Sequence, residues 1–259
     1  MRLMAIMAHP DDAEIWAGGT ICKHVERGDE ALIVYMAATE ASVRGEEAKR
    51  GAAIMGAQVA FVGLTDGQVR DLAEACERVS AILNDFAPDI LITHWTDDFH
   101  ADHATTAAIV RRVLPFAISH SAKVPRLWAC DTYFSTGAHG PFIPDVYVEV
   151  TGQWSRKLTA IRAHHSQRPE SWVALTERQC GLHGHRYTHT RPHQSASMRR
   201  VLSASSPSAL SRQWRISTPD ACGAAVLTPS GKSYMYAAGK PRSDSGRPVK
   251  ARSDTRETC

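Results

Sequence analysis

Short apolar segments alternate with longer segments of helical periodicity in the first 120 residues, and this alternation is the strongest constraint on the fold. Four apolar runs lack the alternation of half-exposed strands and therefore predict buried strands. The strand predictions cover residues 3–8, 31–36, 59–62 and 90–93, and the helix predictions cover residues 14–26, 44–55, 71–86 and 105–114. This order predicts parallel βαβ units, and hence an α/β fold with a doubly wound, mostly parallel, Rossmann-like sheet and helices on both faces.

Charge divides the chain into two regions. Residues 1–180 contain 17 Lys and Arg against 23 Asp and Glu, whereas residues 181–259 contain 13 against 4. The second region also holds 13 Ser and almost no long apolar run. We therefore expect one α/β domain over residues 1–180, followed by a basic, Ser- and Arg-rich segment over 181–259 that forms a lid, an oligomer contact or an atypical tail.

Cysteine usage and the N-terminus indicate the compartment. The six cysteines are scattered without a C-x-x-C pair, which favours free thiols over a disulfide scaffold or a structural zinc ribbon. The apolar N-terminal stretch ends after eight residues and is too short for a signal sequence or a membrane span. We expect a cytoplasmic protein that binds neither membranes nor nucleic acids, since only the basic tail would favour the latter.

Two of the predicted strands end in clusters of ionisable residues. The first runs into His-Pro-Asp-Asp at residues 9–12, and the strand at 90–93 runs into the histidine- and aspartate-rich stretch 94–103. Ligands of doubly wound sheets bind beyond the carboxyl ends of the strands, where the strand order reverses. If these two strands are neighbours, both clusters line one crevice.

The residue types in these clusters suit metal-assisted hydrolysis. Two imidazoles and one carboxylate with an open fourth position are typical of catalytic zinc, and a further carboxylate can serve as general base. Taken alone, Asp12 is equally well explained as a helix N-cap. We expect Asp97 and Asp98 to form a solvated loop pair rather than to bind the metal.

An alternative is a magnesium-dependent enzyme of the phosphoryl-transfer type, which also uses acidic clusters on α/β sheets. The histidines of both clusters suit zinc better than magnesium. The sequence also lacks a glycine-rich phosphate loop of the G-x-x-x-x-G-K type. The zinc interpretation is therefore favoured.

Three motifs in order resemble those of the PIG-L/LmbE-like zinc deacetylases. They are AHPDDAE at residues 8–14 followed by GGT at 18–20, HADH at 100–103, and KLTAIRAHHSQ at 157–167. The resemblance covers residues 3–170. It implies a catalytic domain, a Zn²⁺ cofactor and the removal of the N-acetyl group from an N-acetylglucosaminyl glycoconjugate.

The resemblance also implies roles for individual residues. The zinc ligands would be His9, Asp12 and His103. The general base would be Asp11, which takes a proton from the attacking water and later passes it to the leaving amine. His164 of the third motif would stabilise the tetrahedral oxyanion or act as an acid.

Further positions resemble substrate contacts of the family. Arg44 and Asp66 would grip sugar hydroxyls, whereas His100 and Asp102 would orient ligands or hydrogen-bond the intermediate. In the alternative interpretation, Arg44 is a solvated helix residue and Asp66 a turn former.

The segment AEIWAGGT at residues 13–20 looks closest to the deacetylases of glycopeptide-antibiotic (teicoplanin-type) pseudoaglycones. A catalytically impaired, sugar-binding relative is a further alternative, although the presence of the base and of all three ligands argues against it. The expected partner is a small-molecule glycoconjugate. The sequence leaves the aglycone, the acyl length and the oligomeric state open.

Overall fold

A computed structural model of the chain describes residues 1–70, 73–121, 124–190 and 201–205. Five strands run parallel in the order β3-β2-β1-β4-β5. Their bounds are Arg2–Met7 (β1), Glu30–Tyr35 (β2), Gln58–Phe61 (β3), Ile90–Thr93 (β4) and Arg126–Cys130 (β5). The predicted Rossmann-like α/β class is therefore confirmed.

Four further strands follow within the described part of the chain. Thr136–Gly137 (β6) and Gly140–Pro141 (β7) form a small hairpin of their own. Val146–Glu149 (β8) and Val201–Ser205 (β9) continue the main sheet beyond β5 with antiparallel pairing. The described sheet is thus mostly parallel, with an antiparallel edge.

Six α-helices accompany the sheet within the described ranges. They are Gly18–Glu26 (α1), Val43–Met55 (α2), Ala73–Phe86 (α3), Ala101–Ser121 (α4), Trp154–Arg162 (α5) and Pro169–Thr190 (α6). Alternate side chains of β1 enter two separate apolar clusters: Leu3 packs with residues of α1, α2 and α5, whereas Met4 packs with residues of α3 and α4. Both faces of the central strands are therefore covered, as the continuous apolar runs predict. The prediction of a buried strand fails for β3, which lies at the edge of the sheet and is only partly buried.

The predicted elements differ from the observed ones mainly at their ends. Three of the four strands begin one residue earlier than predicted, and the helix predicted over 105–114 extends over Ala101–Ser121. The helix predicted over 14–26 begins as a π-helical turn, Ala13–Ala17, and continues as α1. Residues 71 and 72, predicted as helix, lie outside the described ranges.

The predicted division after residue 180 stays a prediction. It falls within α6, and β9 from the C-terminal region pairs with β8 in the main sheet. Residues 191–200 and 206–259, and with them most of the predicted basic segment, lie outside the described part of the chain. Among the described helices, none is both long and apolar enough to cross a membrane.

Candidate metal and catalytic site

The two ionisable clusters meet because their strands are neighbours. β1 pairs with β4 in parallel register, with Ile6 opposite Thr93. The backbone N–H of Ala8 then donates a hydrogen bond of 2.9 Å to Nε2 of His94, the first residue after β4. The strand order reverses at this pair of strands, so the crevice lies where doubly wound folds bind ligands.

The Asp12 carboxylate lies at the centre of the site. Its Oδ1 is 3.3 Å from Nε2 of His103, and its Oδ2 is 3.2 Å from Nδ1 of His9 and 3.3 Å from Nε2 of His94. All four side chains are buried. The predicted ligands His9, Asp12 and His103 are therefore brought together, and His94 joins them.

Burial and mutual charge shift the pKa values of these groups in opposite directions. Burial alone would raise the pKa of Asp12, but the imidazoles, His103 foremost, hold it well below its usual range. Burial alone would lower the pKa of His103 and of His9, but their carboxylate partners raise these pKa values to about 10 and about 9. The pKa of His94 falls to about 4, because burial and the neighbouring His103 charge both oppose its protonation.

The described residues fit a metal ion. Nε2 of His103 is buried and makes no hydrogen bond within the described part of the chain. Three groups of described residues place their ligand atoms within 4.8 Å of one another: His9 with His100 and His103, Asp12 with His94 and His103, and His9 with Asp66 and Asp102. Mixed imidazole and carboxylate ligands suit zinc better than magnesium.

Asp98 is not the solvated loop residue that the sequence predicts. It is buried, and its Oδ2 lies 2.9 Å from Nδ1 of His103, while its Oδ1 accepts a 2.8 Å hydrogen bond from the backbone N–H of His100. The prediction fails because the loop folds back onto the first turn of α4. The carboxylate of the neighbouring Asp97 instead contacts Nδ1 of the exposed His139 in the β6–β7 hairpin.

Asp102 and His100 surround His9. Oδ2 of Asp102 lies 3.0 Å from Nε2 of His9, and this carboxylate also accepts backbone hydrogen bonds from Gly67 and Val69. The His100 ring meets the His9 ring edge-on, with centroids 4.8 Å apart. The loop after β3 is thus hydrogen-bonded to the Asp102 side chain, which itself contacts His9 in the crevice.

Asp11 occupies a separate position from Asp12. It is buried and has a φ of 106°, a conformation that non-glycine residues rarely adopt and that concentrates at functional sites. Burial and the Asp12 charge raise its pKa to about 7, and the charges of Arg44 and His164 partly oppose this rise. A carboxyl with such a pKa can both accept and return a proton near neutral pH.

Arg44 and Asp66 lie together beside Asp11. Nη2 of Arg44 donates to the carbonyl oxygen of Pro10 at 2.6 Å and lies 3.4 Å from Oδ2 of Asp11, while Nη1 bonds Asp66. The Asp66 side chain is 53% exposed, and its Oδ1 is 3.4 Å from Nε2 of His9. Both predicted substrate contacts therefore lie at the crevice rather than on a remote solvated surface.

His164 is fully buried. It follows α5, and its Nε2 is 3.1 Å from Oε1 of Glu14, whose Oε2 accepts a 2.8 Å hydrogen bond from the Tyr35 hydroxyl. The next residue, His165, is exposed. The predicted catalytic histidine thus contacts a buried carboxylate, and its catalytic role stays a prediction.

Two aromatic side chains, Trp16 and Tyr133, pack beside the residues of the site. Nε1 of Trp16 donates to Oδ1 of Asp12 at 3.3 Å, and its ring packs edge-to-face on Tyr133. Tyr133 in turn stacks on His103, with centroids 5.7 Å apart. Sequence reasoning missed Tyr133, although its place just after β5 was a usable signal.

A Rossmann-like sheet with buried imidazoles and carboxylates at its switch point defines an α/β protein with a candidate metal centre. Residues 4–114 match the family described as PIG-L, GlcNAc-PI de-N-acetylase. This match includes both ionisable clusters, so the part of the chain that carries the candidate metal centre is similar to this family of de-N-acetylases.

Curated relatives catalyse more than one reaction. The chain is similar to 4-oxalmesaconate hydratase of Pseudomonas putida, with 24% identity over 188 residues covering 63% of this chain and 73% of the relative. It is also similar to 1D-myo-inositol 2-acetamido-2-deoxy-alpha-D-glucopyranoside deacetylase of Mycobacterium sp. (strain KMS). The identity is 27% over 246 residues, covering 70% of this chain and 78% of the relative.

Solved structures share the fold. GalB, the 4-carboxy-2-hydroxymuconate hydratase of Pseudomonas putida, aligns with a TM-score of 0.69 at 19% identity over 78% of this chain and 93% of GalB. The zinc-inhibited form of teicoplanin deacetylase Orf2 aligns with a TM-score of 0.56 at 18% identity over 78% and 97%. At these identities the likeness establishes the fold alone.

Proposed function

We propose that the protein is a zinc-dependent N-deacetylase that hydrolyses the acetamide of an N-acetylglucosaminyl glycoconjugate. The observation that carries this proposal is that the adjacent carboxylates of Asp11 and Asp12 have different surroundings. Asp12 faces three imidazoles, whereas Asp11 lies apart from them beside Arg44. One carboxylate can therefore hold a metal while the other moves a proton.

His9, Asp12 and His103 would hold the metal, and hydrogen bonds to neighbouring carboxylates select which ring nitrogen is free. Nδ1 of His103 is hydrogen-bonded to the Asp98 carboxylate, so Nε2 of His103 remains available to bind the metal. Nε2 of His9 is hydrogen-bonded to the Asp102 carboxylate in the same way. Nδ1 of His9, which faces Asp12, therefore remains available to bind the metal. Zinc bound at this place supplies Lewis acidity.

Asp11 is the proposed general base. Its carboxylate removes a proton from the water that attacks the acetamide carbon, and it delivers this proton to the nitrogen as the C–N bond breaks. The products are acetate and a free amine. Arg44 favours the ionised form of Asp11, and with Asp66 it offers donors and acceptors to sugar hydroxyls.

His164 contributes to this mechanism through its positive charge. It is fully buried against Glu14, and its charge lowers the pKa of Asp11. In this proposal the charge of His164 favours the ionised form of Asp11 and stabilises the developing oxyanion. Proton transfer is assigned to Asp11 alone.

The narrower substrate is proposed as a glycopeptide-antibiotic pseudoaglycone, because residues 13–20 resemble that subgroup. A hydratase is the competing function, since a curated relative is named as one. A hydratase adds water across a double bond and releases neither acetate nor amine. The products formed therefore separate the two functions.

The test measures acetate and amine release from a panel of N-acetylglucosaminyl conjugates with a small polar, a disaccharide or a glycopeptide aglycone. The same protein is assayed for hydration of 4-oxalmesaconate, the compound in the name of the hydratase relative. We expect amine release that a chelator abolishes and added zinc restores. Hydration without amine release would refute the deacetylase function, and release only from small conjugates would refute the narrower substrate.

A further inference from the structure

A π-helical turn separates the catalytic motif from α1. It spans Ala13–Ala17, directly after Asp12. Single π-helical turns within helices are rare and occur frequently at functional sites. A turn of this kind is locally less favourable than an α-helical one, so the surrounding structure has to maintain it.

Lys157 of α5 contacts this turn directly. Its side chain is fully buried, and Nζ donates to the carbonyl oxygen of Glu14 at 2.9 Å and to that of Ile15 at a shorter distance. An ammonium group is costly to bury without hydrogen-bond acceptors. Here its bonds go to peptide carbonyls inside the π-helical turn.

The same turn holds the proposed base. The backbone N–H of Ile15 donates a 3.0 Å hydrogen bond to the carbonyl oxygen of Asp11, the residue with a φ of 106°. Ile15 is therefore bonded on one side to Asp11 and on the other to Lys157. A displacement of Ile15 would change the direction in which the Asp11 carboxyl points.

We propose that Lys157 is a positioning residue that holds the π-helical turn and thereby fixes the Asp11 carboxyl in the crevice. The kinetic consequence rests on the proposed deacetylase function, whereas the effect on the turn does not. The alternative is a packing role, because Cγ of Lys157 lies only 3.5 Å from the point where a Cβ on Gly18 would stand.

Two variants separate hydrogen bonding from packing. Lys157→Met and Lys157→Gln both shorten the side chain by one atom and match each other in length, but Met removes the donor whereas Gln keeps one. We expect kcat to fall about 10- to 100-fold in Lys157→Met with little change in KM, because small displacements of a catalytic group cost rate rather than binding. Lys157→Gln should retain a kcat between those of the wild type and Lys157→Met. Lys49→Met, at a partly exposed lysine paired with Glu40 and Glu46, is the matched control and should leave kcat unchanged.

Hydrogen exchange supplies a readout that is independent of turnover. In zinc-free protein, the peptide over residues 11–20 should exchange faster in Lys157→Met than in the wild type, with Lys157→Gln between them. Equal losses in the Met and Gln variants would overturn the proposal in favour of packing, as would wild-type kcat and exchange in either. If Lys157→Met does not fold, Lys157→Gln decides: a lower kcat with faster exchange of this peptide supports the proposal, and wild-type values overturn it. If the wild type releases no amine, the deacetylase function fails, but the exchange comparison still tests whether Lys157 holds the π-helical turn.

Discussion

Oδ1 of Asp12 lies 3.3 Å from Nε2 of His103, although one residue follows β1 and the other belongs to the first turn of α4. This contact joins the two sequence motifs into one site. It exists because β1 and β4 are adjacent in the sheet, so that both motifs leave the same edge. The geometry of the proposed metal centre therefore follows directly from the strand order.

Replacing Asp98 should weaken metal binding without unfolding the protein. Asp98→Asn keeps the shape but removes the negative charge that Nδ1 of His103 faces. We expect zinc affinity, measured by chelator competition, to fall about 10- to 100-fold, as is typical when a partner of a ligating histidine is lost. Asp97→Asn is the matched control, because Asp97 pairs with His139 instead. Equal losses in both variants would contradict the assignment.

The pH dependence of turnover should follow the ionisation of Asp11. Its pKa is raised to about 7 by burial and by Asp12, and Arg44 opposes this rise. A general base must be ionised, so kcat should increase with pH through this pKa, which a bound cation would lower. Arg44→Met removes a nearby positive charge and should move the rising limb to higher pH. The pH profile of kcat is the measurement, and a limb that stays in place or moves to lower pH would count against Asp11 as the base.

Gly51 is predicted to be required for the buried Glu14–His164 pair. A Cβ at this position would lie 2.3 Å from Oε1 of Glu14 and 3.0 Å from Nε2 of His164. Gly51→Ala should therefore lower the free energy of unfolding by about 1–3 kcal/mol, the usual cost of overpacking. Urea denaturation measures this change.

Gly181→Ala provides the control for this substitution. Gly181 lies within α6 with open space around it, so alanine should raise the free energy of unfolding by about 0.5–1 kcal/mol through helix propensity. A neutral Gly51→Ala would show that α2 can move away from Glu14 at little cost.

The sequence predicts the parallel sheet and both clusters because these features depend on local patterns. Continuous apolar runs identify the buried strands, and ionisable residues directly after them identify the carboxyl edge. The strand boundaries are within one residue of those predicted, and His9 and His94 directly follow two of the four predicted runs.

The remaining features depend on contacts between distant segments. Asp98 is a loop residue by its local pattern, and only the fold of the loop onto α4 brings it to His103. His94 and Tyr133 join the site through neighbouring strands in the same way. The π-helical turn could not be predicted, because the bonds from Lys157 come from another helix.

The most direct test compares wild-type protein with Asp11→Asn, both loaded with zinc, for acetate release from an N-acetylglucosaminyl conjugate. Asn keeps the size of the side chain but cannot accept the proton. We predict equal zinc content in the two proteins and a kcat that is about 10²- to 10⁴-fold lower in the variant, the usual contribution of a general base. An Asp11→Asn protein that releases acetate at the wild-type rate would contradict the account.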